Sequence, residues 1–168
     1  LVSVACGGGS ETVSIGMLSP QTGPIAQFAP GFDSAGEVAI AELNETHTGN
    51  YEFELIVGDS GCDGTTAATA AQTLVDSGVS VIVGAACSGA TTAAIAVAAP
   101  AGIPMISYAS TSPALTGISD YFFRVVPSDA QQAVALIDVA SAAGVSKPAV
   151  LYMTNDYGSG LGDNFNQS

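Results

Sequence analysis

The sequence predicts an α/β fold built on a parallel β-sheet, and three observations carry that expectation. From Val13 onward, short apolar runs alternate with helical stretches. Alternation at these lengths builds βαβ units with right-handed crossovers. The run VSVIVG (79–84) is short and apolar but for Ser80, typical of a central parallel strand buried on both faces. The helical stretches are rich in Ala and Gly, small enough to lie close to such a sheet. At 168 residues, 48% of them apolar, the chain is long enough to bury a real core.

The elements follow in order. VSIGML (13–18) reads as a strand, and SPQTGP after it as a loop rich in breakers. Phe32, Ala35, Gly36, Ala39, Ile40 and Leu43 recur at helical spacing, one apolar face that Gly49 is placed to end. YEFELIV (51–57) alternates as a second strand. Ala67, Ala70, Ala71, Leu74 and Val75 form a second helical stripe, closed by Gly78. An Ala-rich helix is expected at about 90–99 and a strand at IPMIS (103–107). Beyond YFFRVV (121–126), Ser128 with Gln131 makes a capping-box pattern before a helix carrying Ala130, Ala133, Val134 and Ile137. PAVLYM (148–153) reads as a further strand. Ligands of open α/β sheets bind outside the carboxyl ends of strands, so a site is expected after residues 18, 58, 84, 107 or 153.

The ends read differently. LVSVAC has the composition of the tail of a secretory apolar segment, and GGGSET after it that of a flexible tether. Small residues before Cys6 resemble a bacterial lipoprotein cleavage site, with Ser3 where Leu is usual, so Cys6 is the expected lipidation site. The alternative is a free thiol of no consequence. GDNFNQS closes the sequence within a helix-like pattern, and both ends read as truncated. No other segment approaches the ~20 continuous apolar residues that span a bilayer.

Charge removes several function classes. Fifteen acidic residues stand against two basic ones, Arg124 and Lys147, for a net charge of −13. Phosphate neutralisation needs Lys and Arg, so nucleic acid and anionic membrane surfaces are poor partners. The acid is spread along the chain, a solvated surface suited to a saline or extracellular medium. Gly84-Ala-Ala-Cys-Ser-Gly89 has the skeleton of a phosphate loop, but Ala90 and Thr91 replace its Lys-Ser/Thr. What remains there is a Ser hydroxyl and the N–H groups opening a helix, suited to a small carboxylate; Ser88 acting only as a helix cap is the alternative. The single His, His47, reads as a solvated residue at a helix end, which leaves no base for a nucleophile. One His and three scattered Cys give no metal-ligand spacing, so no catalytic residue, metal or cofactor is expected. Cys62 and Cys87 follow two strands of one sheet. In an exported chain a disulfide between them is expected, with two free buried thiols as the alternative.

TGPIAQF (22–28), the Cys62…Cys87 pair, CSGATT (87–92), AGIPMIS followed by YASTSPALT (101–116), FFRVVPSDAQQ (122–132) and NDYGSGL (155–161) occur in order. Together they resemble the leucine/isoleucine/valine-binding protein family, the type I periplasmic solute-binding proteins of ABC transporters. The resemblance runs from about residue 12 to 168. It implies two Rossmann-like lobes that close on a ligand like a hinge, in proteins about twice this length. Residues 1–11 then form a signal remnant and tether, 12–124 an incomplete first lobe, and 125–168 the start of a second.

Carried over by position, the resemblance implies that Ser88 holds a ligand α-carboxylate through its hydroxyl and N–H. Thr111 supplies a hydroxyl to the amino acid head group, and the Ala109 carbonyl accepts from the α-ammonium. Ser110 lies between them. Phe28 matches an aromatic that covers the pocket, often Tyr, and Tyr157 an aromatic of the second lobe that reaches the cleft. Tyr108 departs from the commoner small residue or Pro, which bears on pocket volume. The implied protein is a monomeric, extracytoplasmic, lipid-anchored component of an ABC importer. It would take a branched-chain or similar amino acid and present its closed form to a membrane permease. A sensor domain of the same fold, a binder of amides or urea, and an α/β enzyme are the rival readings.

Overall fold

The computed structural model describes residues 10–167; Cys6 and the tether up to residue 9 lie outside the described residues. Five parallel strands form one sheet: β1 (Glu11–Ser19), β2 (Tyr51–Asp59), β3 (Val81–Val83), β4 (Met105–Ser107) and β5 (Phe122–Arg124). Their order is β2-β1-β3-β4-β5. The helices are α1 (Ala29–Thr46), α2 (Gly64–Asp76), α3 (Ser88–Ala98), α4 (Asp129–Ala142) and α5 (Asp156–Gln167). β1 pairs with β2 in step from Glu11↔Tyr51 to Ser19↔Asp59, so both strands end level.

Side chains alternate across β1 as the pleat demands. Gly16 and Leu18 face α2, where Leu18, Leu74, Ile82 and Met105 are fully buried. Ala67, Ala71, Ala90, Ala94 and Ala98 join that core, and their small side chains let α2 and α3 pack closely together. Ile15 and Met17 face the other way, toward the predicted stripe of α1. That stripe is less closed than the periodicity predicts. It walls an open apolar groove of about 460 Å³ over Ile15, Met17, Leu55 and Val83, with Ala29 the one buried residue of α1. Among the described residues a single helix covers this face, while two cover the opposite one.

Several predicted boundaries shift. α3 begins at Ser88 rather than near residue 90, so Ser88 is its first residue. α1 ends at Thr46, where His47 turns extended and its exposed ring packs edge-on against Phe53 at 5.2 Å. Gly78 does close α2, with φ +75°. Ser128 caps α4, its hydroxyl accepting from the Ala130 N–H at 3.3 Å. PAVLYM (148–153) is not a strand. A strand needs a neighbour, and none of the five described strands reaches it; Leu151 stands 99% exposed.

Two backbone sites require glycine. Gly84, at φ +133°, would bring a Cβ to 2.7 Å from the Leu18 carbonyl oxygen. Gly23, at φ +86°, meets the Gly61 carbonyl so closely that a Cβ would overlap it. This second contact brings the loop after β1 against the loop after β2.

Cys62 and Cys87 form a disulfide with Cα atoms 5.2 Å apart. Their strands are not neighbours, because β1 lies between them; the helices that follow are, and the bridge ties the start of α2 to the start of α3. A closed loop of this size is worth roughly 3 kcal/mol. Replacing both cysteines with serine is expected to lower the unfolding free energy by about that amount in denaturant titrations. Without reductant, mass analysis after alkylation should leave Cys62 and Cys87 unmodified, and labelling of both would contradict the bridge.

Candidate functional site

β1 sits where the strand order reverses, and such a reversal opens a crevice at the carboxyl ends of the strands. A cleft of about 720 Å³ lies there. Ser88 and Gly89 line it from the start of α3, Ala109 and Thr111 from the loop after β4, and Asp156 and Tyr157 from the start of α5.

Of the helices that open at the cleft, α2 and α3 are finished differently. α2 is capped by Asp63, whose carboxylate accepts from the Thr66 N–H at 2.9 Å and the Thr66 hydroxyl at 3.1 Å. Those bonds hold the Asp63 carboxyl below the ordinary carboxylate range. α3 has Cys87 at its cap position, and no side chain caps it there. The sulfur is committed to the disulfide. The leading N–H groups of a helix have no partner within the helix. At α3 they open beside the Ser88 hydroxyl with no side chain from the cap position to meet them.

Ser88 is 2% exposed, and its Oγ accepts from the Ser112 N–H at 3.2 Å. That bond occupies a lone pair and leaves the hydroxyl proton free to be donated. Thr111 is set the opposite way. Its hydroxyl donates to Asp129 Oδ2 at 2.7 Å, and its carbonyl accepts from the Asp129 N–H at 2.9 Å. The Ala109 N–H is held by Ser107 Oγ at 3.3 Å.

The structure brings Ser88, Ala109, Thr111 and Tyr157 to one cleft and places the other two candidates elsewhere. Ser110 is fully buried behind it. Its Oγ lies 2.7 Å from Thr91 Oγ1 and 3.0 Å from the Ala85 carbonyl, tying the loop after β3 to the loop after β4. Phe28 ends a short 3-10 turn (Ala26–Phe28), stands 55% exposed and is not among the lining residues, although Pro24 and Ile25 of the same loop are. Tyr108 takes no volume from the cleft. It turns toward α1, its ring 4.9 Å from Phe32 and its hydroxyl donating to the Leu18 carbonyl at 3.0 Å. Burial, then the neighbouring Asp33 carboxylate, push its phenol far above the ordinary range.

Sequence reasoning missed Asp129, Ser112 and Ser107, which hold the cleft residues from behind. The SDAQ cap pattern marks the first turn of α4, yet nothing local signals that Asp129 reaches a threonine 18 positions earlier. Asp156 was also missed; its Oδ2 lies 3.4 Å from Thr92 Oγ1, seating α5 on α3. Asp63 and Asp156 are the carboxylates lining the cleft, and no cationic side chain lines it among the described residues.

Asp59 braces the rim. It accepts from the Thr22 hydroxyl at 2.6 Å, the Gly61 N–H at 2.8 Å and the Thr22 N–H at 3.1 Å. Burial pushes its carboxyl upward, but these bonds outweigh burial and hold it below the ordinary range. A carboxyl depressed in the folded state stabilises the fold above its unfolded value and loses that contribution as pH falls through the folded value. Wild type should therefore exceed Asp59→Asn in unfolding free energy above about pH 4, with the gap closing at lower pH. A gap in denaturant titrations that ignores pH would contradict the assignment.

Fold and cleft together define an α/β ligand-binding domain that offers neutral hydroxyls and helix N–H groups at the switch point of a parallel sheet. The periplasmic binding protein family matches residues 12–168, and the chain belongs to that family. It is 30% identical over 155 residues to a leucine-, isoleucine-, valine-, threonine- and alanine-binding protein of Pseudomonas aeruginosa, covering 90% of this chain and 42% of the relative. It is also similar to the branched-chain amino acid transporter substrate binding protein LivJ of Streptococcus pneumoniae in complex with isoleucine. That likeness has a TM-score of 0.83 and 32% identity over 94% of this chain and 47% of the other. A solute binding protein of an ABC transporter from Rhodopseudomonas palustris, in complex with 3,4-dihydroxybenzoic acid, matches with a TM-score of 0.83 and 27% identity over 93% of this chain and 43% of the other. The chain thus spans less than half the length of these relatives.

Proposed function

We propose that the protein is the solute-binding component of an ABC importer and takes a small amino acid, branched-chain or similar, in the cleft at the carboxyl ends of β1, β3 and β4. The observation that carries this reading is the uncapped start of α3 beside Ser88, in one cleft that Ala109 and Thr111 also line. A zwitterion needs donors for its carboxylate and acceptors for its ammonium. Neutral hydroxyls and backbone groups can supply both without a protein charge in direct contact with either end of the ligand. The relatives named for leucine, isoleucine and valine support the ligand class.

In this reading residues 12–124 form the first lobe and 125–168 begin the second, with Tyr157 approaching the ligand from the second side. The protein works outside the cytoplasm, anchored by lipid at Cys6, as a monomer that presents its closed form to a permease. No cofactor takes part. The relative holding 3,4-dihydroxybenzoic acid favours one second reading, an aromatic acid whose carboxylate takes the same place at α3.

Calorimetric titration of the full-length, delipidated protein with leucine, isoleucine, valine, glutamate, urea and 3,4-dihydroxybenzoate tests the assignment. Binding of a branched-chain amino acid, with glutamate silent, is the expected result. Ser88→Ala and Thr111→Val should each weaken that binding by roughly 1–3 kcal/mol, through hydrogen bonds lost to a charged group. Affinities within twofold of wild type would remove both residues from the site.

A further inference from the structure

We infer that Asp129 is the positioning residue that makes the cleft select for an ammonium group, by fixing which way the Thr111 hydroxyl points; the inference rests on the amino acid reading above. A threonine hydroxyl has one proton and two lone pairs, so on its own it serves donors and acceptors alike. Here the proton is committed. Thr111 Oγ1 donates it to Asp129 Oδ2 at 2.7 Å, and the Asp129 N–H holds the Thr111 carbonyl at 2.9 Å, so both ends of the residue are fixed from one helix turn. What Thr111 presents to the cleft is then lone pairs alone, an acceptor. Ser88 is fixed in the opposite sense, because its oxygen already accepts from the Ser112 N–H and its proton remains to give. The two hydroxyls in one cleft are therefore oriented oppositely, one to meet a carboxylate and one to meet an ammonium.

Asp129 itself is 1% exposed in the first turn of α4, where a negative charge is favoured by the helix dipole. Its second oxygen, Oδ1, is buried without a partner among the described residues. A carboxylate serving only as a helix cap would not need that burial, since Ser128 already occupies the cap position and accepts from Ala130. Hydrogen bonds to a charged acceptor are also the stronger kind, which makes this orientation hard to reverse.

The test is a mutant cycle read by leucine titration of the full-length protein, with Asp129→Asn introduced into wild type and into Thr111→Val. Asparagine keeps the shape but offers Thr111 an N–H as readily as a carbonyl. If Asp129 acts through the Thr111 hydroxyl, Asp129→Asn weakens leucine at least tenfold when Thr111 is present and less than twofold when valine replaces it. Equal losses in both backgrounds would mark Asp129 as a structural residue only and overturn the inference. A second measurement needs no variant at position 129. Wild type should bind 2-hydroxy-4-methylpentanoate, which has a proton to give, at least tenfold more tightly than 4-methyl-2-oxopentanoate, which has none. Equal affinities would overturn the inference while leaving carboxylate binding at Ser88 intact. Failure of wild type to bind leucine at all would overturn the amino acid reading and this inference with it.

Discussion

The four residues Gly84–Cys87 carry the chain off β3, a strand packed between β1 and β4, into α3, and the rest of the cleft depends on how that connection is held. Its backbone is gripped by hydroxyls from two directions. Thr91, one turn into α3, accepts from the Ala85 N–H at 3.1 Å, while Ser107 at the end of β4 donates to the Ala85 carbonyl at 2.7 Å. Ser110 completes the set. Thr91, Ser107 and Ser110 are all fully buried, so each bond replaces water that cannot reach the groups. The start of α3 and the loop after β4 are thereby fixed relative to one another, and Ser88, Ala109 and Thr111 inherit that placement.

Under the proposed function, this arrangement lets the cleft take a zwitterion with neutral groups. The disulfide removes Cys87 from capping duty and at the same time pins the helix start that it leaves open. In the proposed function, backbone N–H groups and a hydroxyl meet a carboxylate without the desolvation that a buried lysine or arginine would cost. The chain's scarcity of cations, two basic residues in 168, is compatible with that chemistry. Arg124 is used elsewhere, its guanidinium donating to the Ser112 carbonyl at 2.9 Å and to the Thr116 hydroxyl at 2.5 Å, so it steadies the loop behind the cleft.

Much of the sheet was legible because its signals are local. VSVIVG is apolar but for Ser80, with Ile82 fully buried toward α2 and α3 and Val83 turned to the groove beneath α1, and the alanine stripes of α2 and α3 mark the surfaces where those helices meet. The CSGATT segment pointed to an open helix start, which is where the cleft lies. The parts that were not legible depend on partners distant in the chain. PAVLYM has the composition of a strand, but composition cannot supply the neighbour that a strand needs. Tyr108 read as an intruder on the pocket because its partners, Phe32 and the Leu18 carbonyl, come from β1 and α1. Ser110 and Thr111 are adjacent and chemically alike, yet one faces the buried β3 connection and the other the cleft. Asp129 was invisible for the same reason, since an acidic residue in a first helix turn is ordinarily only a favourable charge.

In the proposed function the start of α3 receives a ligand carboxylate while Ala109 and Thr111 receive its ammonium. A crystal structure of the full-length protein grown with leucine tests it most directly. The carboxylate is expected within hydrogen-bond reach of Ser88 and the leading N–H groups of α3, and the ammonium against the Ala109 carbonyl and Thr111 Oγ1. Leucine bound with those ends exchanged, or seated away from Ser88, would contradict it.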